Sequence, residues 1–411
     1  MNPGDSQASV RLTFMLETGQ QVQRDVMVGP HSRSTYHVKE FVPEGHSGVS
    51  TRVHCDSQAI IAERPMYFNY RRDVPGYNWK GGHIAMGQTT LQNQYYFAEG
   101  TTRSNARDGR FDEWITVQNP GGKIANVKVT YMMGTGRNVE KYYQVGAHAR
   151  LTIDVNSDVG PNQDVSAMIE SDVPVAAERP QYCDYHGFAT DGHNVVGAVS
   201  PATEWHFAEG TTLPGFQEWL TIQNPNNVTA NVDINYLSGE GKVVSAKKVI
   251  GPRSRGTVSV FGDVGDNQNV SADVSSDVPI VCERPMYFDY QDKWTGCSDA
   301  MGATSLSREF FVAEGTTISN FDEYLTISNP QSAEARVSTV YMLGNGSTRR
   351  IEHVVGAHSR YTIKVNDEVG SGNDVSARII SDVPIMVERP MYFNYNGVRD
   401  GGHDVGAYGV D

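Results

Sequence analysis

A Glu-Arg-Pro run that recurs four times constrains this chain more than any other feature. It occurs at Glu63-Arg64-Pro65, Glu178-Arg179-Pro180, Glu283-Arg284-Pro285 and Glu388-Arg389-Pro390, at spacings of 115, 105 and 105 residues. A fixed long period means a tandem array of like units. A second marker, Ala-Glu-Gly-Thr-Thr, begins at Ala98, Ala208 and Ala313 and has no counterpart ahead of Glu63. At 411 residues the chain exceeds one ordinary core, and units of about 100 residues match the usual domain size. The units divide at 1–92, 93–203, 204–307 and 308–411, with short connections that predict a semi-rigid array. Two five-residue insertions, within 71–80 and 103–110, account for the longer first spacing.

Inside each unit the apolar residues alternate, as half-buried strands require. Phe111, Glu113, Ile115 and Val117 fall on one face, and Asn119-Pro120 ends the strand; Val127, Val129 and Tyr131 follow after the turn. Further strands are expected at 151–155, 165–169 and 173–182, and a single helical turn at Asn156-Ser157-Asp158-Val159-Gly160. About seven short strands per unit predict an all-β protein of tandem Ig-like antiparallel β-sandwich repeats. A propeller blade needs only about 40–50 residues, so the period is too long for one.

The segment from the second marker to the Asn-Pro turn supplies two strands, and the first unit begins at Asn2-Pro3, just past that segment. The first repeat is therefore expected to lack its first two strands and to expose edges. The preferred explanation is a fragment whose upstream neighbour is missing. The other is a docking site that neighbouring copies or other surface proteins fill by strand addition.

A formal charge of −14 argues against nucleic acid or anionic membrane as partner, because both demand basic patches. No run of 18 apolar residues is present, which gives no membrane-inserting segment, and the first 25 residues do not read as a signal peptide. Cys55, Cys183, Cys282 and Cys297 occupy different repeat positions, so no disulfide framework is shared. Cys282 and Cys297 share the third repeat, where a local disulfide and two independent thiols are both open.

Glu113, Glu218 and Glu323 are in phase with buried residues, and Arg179, Arg284 and Arg389 share the apolar side of their strand. The expectation is a structural Glu–Arg ion pair inside each complete sandwich, with Glu99, Glu209 and Glu314 as competing partners, since an inward carboxylate must be paired or neutral. Paired carboxylates also serve glycoside hydrolysis, yet an active site duplicated in every repeat is the weaker reading. No catalytic residue is assigned. Arg64 is the open-repeat docking candidate, expected to be solvated or unpaired. Tyr77, Trp79 and Trp294 are carbohydrate candidates, as flat rings able to face a polysaccharide. His83, His193 and His403 read as Gly-His turns in preference to a zinc site. Asp158, Asp164, Asp367 and Asp374 are calcium candidates, although their spacing is not that of an EF-hand loop; no other cofactor is expected. Three short sequons at Asn227, Asn269 and Asn345 fall at different repeat positions and read as chance matches.

The string from Tyr96-Phe97-Ala98-Glu99-Gly100-Thr101-Thr102, through Phe111-Asp112-Glu113-Trp114 and Gln118-Asn119-Pro120, to Glu388-Arg389-Pro390-Met391-Tyr392-Phe393 and Gly401-Gly402-His403-Asp404 resembles a family of secreted, surface-associated bacterial Ig-like repeats. The resemblance implies stalks, adhesive modules, or envelope and filament components, and covers essentially the whole chain. The expectation is therefore a non-enzymatic extracellular or cell-surface array. The alternative is a carbohydrate-binding module accompanying an absent catalytic domain.

Overall fold

The computed structural model describes residues 1–46, 48–71, 73–105 and 109–410. The first repeat holds β1 (Ala8–Leu16), β2 (Gln21–Val28), β3 (Val49–Cys55), β4 (Glu63–Tyr70) and β5 (Trp79–Met86). The second holds β6 (Gln92–Phe97), β7 (Ser104–Asn105), β8 (Gly109–Asn119), β9 (Ala125–Met133), β10 (Asn138–Val145), β11 (Ala149–Asp154), α1 (Val155–Val159), β12 (Val165–Tyr185) and β13 (Ala189–Val196). The third runs through β14 (Ala202–Phe207), β15 (Phe216–Asn224), β16 (Ala230–Ser238), β17 (Val243–Ile250), β18 (Ser254–Ser259), α2 (Val260–Val264), β19 (Val270–Tyr290) and β20 (Trp294–Met301). The fourth has β21 (Ser307–Val312), β22 (Phe321–Asn329), β23 (Ala335–Leu343), β24 (Thr348–Val355), β25 (Ser359–Lys364), α3 (Val365–Val369), β26 (Val375–Glu388), β27 (Met391–Tyr395), β28 (Arg399–His403) and β29 (Tyr408–Val410). The protein is all-β, with 63% strand and 4% helix.

Each complete repeat is a sandwich of two antiparallel sheets that share one long strand. In the second repeat the first half of β12 pairs with β9 and β6, while its second half pairs with β8 and β13. The alternating Ile115 and Val117 of β8 meet Val127, Val129 and Tyr131 of β9 in a closed core. Sequence periodicity splits β12 at residues 170–172, whereas the structure carries one strand through. A register shift lies between Glu170 and Val175, so Pro174 falls where the ladder is already interrupted and its missing N–H costs nothing. The expected helical turn is α1: Asp154 accepts a hydrogen bond from the Ser157 amide, and Gly160 at φ 82° ends it. The Asn-Pro turn has its own anchor. Buried Asn119 donates to the carbonyls of Lys123, Val145 and Gly146, and Asn2, Asn224 and Asn329 repeat the arrangement.

The first repeat differs. Among the described strands β3 pairs only with β1, and β4 only with β5, where β12 has neighbours on both sides along each half.

The repeats do not run out as a stalk. The second halves of β12 and β19, and the separate strands β4 and β27, leave their own cores with the strand that follows, and these four hairpins meet at a common centre. There β5 packs on β13, β13 on β20, β20 on β28, and β28 back on β5. The fourth repeat thus closes against the first. Small-angle scattering should therefore give a radius of gyration of roughly 21–26 Å, near the compact value for this length; an extended row of four sandwiches would exceed about 30 Å.

Candidate functional site

The cyclic closure repeats one set of contacts. A tyrosine of each repeat stacks on a tyrosine of the next: Tyr70 on Tyr182, Tyr185 on Tyr287, Tyr290 on Tyr392 and Tyr395 on Tyr67, with ring centroids 3.7–4.1 Å apart and planes within 8°. Beside each stack at three junctions a phenylalanine covers a glycine of the next repeat. Phe68 lies on Gly192, Phe288 on Gly402 and Phe393 on Gly82, and a Cβ at any of these glycines would approach the ring within 3.1 Å.

The Glu-Arg-Pro arginines join the same junctions. Arg64 reaches Glu178 at 2.9 Å, Arg179 reaches Glu283 at 3.1 Å and Asp299 at 2.5 Å, Arg284 reaches Glu388 at 2.7 Å and also Asp404, and Arg389 reaches Glu63 at 3.1 Å. Every pair links one repeat to its successor, so the expected pairing of Arg179, Arg284 and Arg389 with Glu113, Glu218 and Glu323 inside a sandwich is replaced by pairing across junctions. Arg64, expected to be unpaired, is paired in the same way. Among the described residues each acceptor glutamate except Glu178 also receives a backbone N–H from the second-marker segment: Ala98 to Glu283, Glu209 to Glu388 and Ala313 to Glu63.

A second arginine series was missed by sequence reasoning. Arg33, Arg150, Arg255 and Arg360 occupy equivalent repeat positions, the last three at the start of β11, β18 and β25. Arg255 binds Glu99 at 2.8 Å, Arg360 binds Glu209 at 2.9 Å and Arg33 binds Glu314 at 2.6 Å. The competing glutamates thus do pair, but with these arginines of the following repeat. Arg150 has no such carboxylate among the described residues, and burial holds its guanidinium below the ordinary value. The spacing of 105 from Arg150 to Arg255 to Arg360 was the available signal.

Glu113, Glu218 and Glu323 sit against Gly100, Gly210 and Gly315, where no Cβ fits. Burial raises each to about 8. At the junction of repeats 2 and 3, burial also raises Glu283 far above a normal carboxyl, whereas Arg179 holds Asp299 low against its own burial. Burial raises Glu99 as well, against the pull of Arg255. Glu99, Glu113, Glu283 and Asp299 thus face Arg179 and Arg255 in one enclosed cluster.

At the centre of the ring one carboxylate serves all four hairpins. Asp191 is fully buried and accepts N–H bonds from Gly82 at 3.0 Å, Cys297 at 3.1 Å and Gly402 at 3.2 Å, together with its neighbour Gly192. The equivalent positions are Gly81, Gly296 and Gly401, where a Cβ would lie within 2.9 Å of the Asp191 carboxylate.

The remaining candidates fall elsewhere. Trp79 is 2% exposed, packed against Tyr70 and Tyr77, and Trp294 stacks on Tyr290, so these rings pack against neighbours and do not make a platform. The insertions bring Arg71 over Tyr70, Tyr77 and Trp114, and Arg110 over Tyr77 and Trp79. His83 and His193 are buried, which lowers both to about 3, and His403 is lowered as well. Asp158 accepts from Tyr131 and Tyr143, and Asp164 from Thr101 and Arg103; Asp367 and Asp374 lie at the equivalent turn of the fourth repeat. Among the described residues no group of three or more His, Cys, Asp or Glu is placed to hold a metal. Cys282 lies in the third sandwich core, and the neighbour of Cys297 is Cys183 of the second repeat, not Cys282.

No family model and no curated protein matches the chain. Among solved structures, the Thermotoga maritima 1070 protein is 21% identical over 25% of this chain and 94% of its own, with a TM-score of 0.24. The Anabaena sensory rhodopsin transducer is 18% identical over 22% of this chain and 97% of its own, at 0.19. A tetra-tandem repeat from the extending region of a large adhesion protein is 12% identical over 99% of this chain and 92% of its own, at 0.13.

Two outcomes are expected. Arg284→Met leaves Glu388 and Asp404 buried without their cation and should cost roughly 3–5 kcal/mol in denaturant unfolding; an unchanged midpoint contradicts the junction assignment. Because Glu218 is raised from 4.5 to about 8, the folded state binds its proton more tightly, so its stabilisation is full below pH 4.5 and is lost as pH rises through about 8. Glu218→Gln should flatten that decline, measured as the difference in unfolding midpoint between pH 5 and pH 8.5.

Proposed function

We propose that the protein is a non-catalytic structural module of the bacterial cell surface, a four-repeat ring whose first repeat accepts a pair of β-strands from a partner. What supports a structural role is the placement of the buried charge. The Glu-Arg-Pro arginines and the partnered members of the second arginine series tie one repeat to the next, the fully buried members being neutralised within the junction. Such groups favour a single arrangement of the repeats over alternatives.

The observation that carries the acceptor reading is Arg150. Among the described residues it is the one member of its series without a carboxylate in salt-bridge distance, Glu178 and Glu17 facing it from further off, and Glu178 is the one junction glutamate without an incoming backbone N–H. The free edges of β3 and β4 border the same repeat. The occupant that meets all of these demands is a segment of the protein's own repeat type: an extended Phe-Ala-Glu-Gly stretch whose glutamate reaches Arg150 and whose amide reaches Glu178, followed by a Phe-x-Glu strand along β4. Strand addition gives affinity through main-chain bonds, and the buried charge gives register.

A labelled peptide of residues 202–224 tests the reading by fluorescence anisotropy against the intact chain. Saturable binding is expected, weakened at least about tenfold when Glu209 of the peptide is changed to Gln. Arg150→Gln in the chain should abolish that difference. Absence of saturable binding, or binding indifferent to both changes, overturns the acceptor role.

A further inference from the structure

Three of the four junctions place a phenylalanine on a glycine of the following repeat, and the fourth places a cysteine on a cysteine. Cys183 stands where the other repeats have Phe68, Phe288 and Phe393, and Cys297 stands where they have Gly82, Gly192 and Gly402. Neither substitution is tolerable alone. A side chain at 297 would strike a ring at 183, as the contacts of the three glycines show, and Cys183 facing glycine would leave a void where the ring belongs. The two occur together, at one junction, and their sulfurs lie 2.8 Å apart. That is inside the roughly 3.5–4.0 Å at which unbonded heavy atoms settle. Both residues are fully buried.

We propose that Cys183 and Cys297 form a disulfide that staples the second repeat to the third. The reaction is exchange with a disulfide oxidant of low molecular weight, such as oxidised glutathione. The oxidant's S–S bond breaks and the Cys183–Cys297 S–S bond forms. The two cysteine thiols give up two protons and two electrons, and the oxidant leaves as two thiols. Because both sulfurs are enclosed, exchange takes place before the junction closes, and the finished bond is then shielded from reductant. The link spans 114 residues, a long loop of the kind whose closure most restricts the unfolded chain. Cys55 and Cys282 remain thiols, one in each of two other environments.

The test starts with chain refolded in a buffer of reduced and oxidised glutathione, then unfolded in the presence of an alkylating reagent without further reductant. Two alkylated cysteines are expected, Cys55 and Cys282, with the peptides carrying Cys183 and Cys297 recovered as one disulfide-linked species. Four alkylated cysteines, or a link between any other pair, overturns the proposal. The double variant Cys183→Phe/Cys297→Gly rebuilds the junction found elsewhere in the ring and serves as the control. Reduction during unfolding should lower the melting temperature of the parent by about 5 °C and leave that of the double variant unchanged; equal responses in the two also overturn the proposal.

Discussion

The arginine that follows each Glu63-type glutamate reaches the carboxylate of the next repeat, and the ring rests on that reach. A guanidinium enclosed by protein demands an enclosed anion, and among the described residues no carboxylate of its own sandwich lies within salt-bridge distance of Arg179. The demand is met by Glu283 and Asp299, which arrive only when the neighbouring repeat is seated. Folding of one unit and docking of the next are thereby parts of one event. The tyrosine stacks and the Phe-on-Gly contacts lie along the same strands and add apolar area to an interface whose geometry the charges already set.

Much of this was legible in the residues. The period gave the repeats, the two-residue alternation gave the strands, and the in-phase Glu113 and Arg179 marked a buried ionic cluster. What a tandem sequence conceals is which copy a residue touches. Glu178 and Glu283 are the same residue of successive repeats, so a contact from Arg179 forward to Glu283 leaves the same trace as one within a sandwich. The arginines were therefore assigned inward, and the array was read as open. The neighbour of Cys297 was hidden for the same reason, since Cys282 is nearer along the chain and Cys183 is nearer in space. Trp79 reads as an exposed ring only until the first insertion folds over it.

Described residues of the two insertions stand at the junction of the first and second repeats, the one where Arg150 has no carboxylate in salt-bridge distance among the described residues. There Arg71 forms an ion pair with Asp112 at 3.3 Å, Tyr70 donates to the same carboxylate at 2.9 Å and Trp114 donates to the Tyr70 hydroxyl at 3.0 Å. Arg71 and Arg110 add cation–π contacts. Residues of the insertions thus add contacts at the junction that lacks one of the regular arginine–carboxylate pairs among the described residues.

Asp191 carries a consequence of a different kind. Four separate identical subunits about a fourfold axis can place four acids there or none, and four buried carboxylates at one point would repel beyond any repair. A single acid facing four amides is available only when the subunits are joined in one chain and free to diverge. Fusion has let this molecule put one acid on its axis and one paired cysteine exchange at one seam. The price is that its four quarters can no longer trade places: the order of the repeats is now written into the centre of the ring.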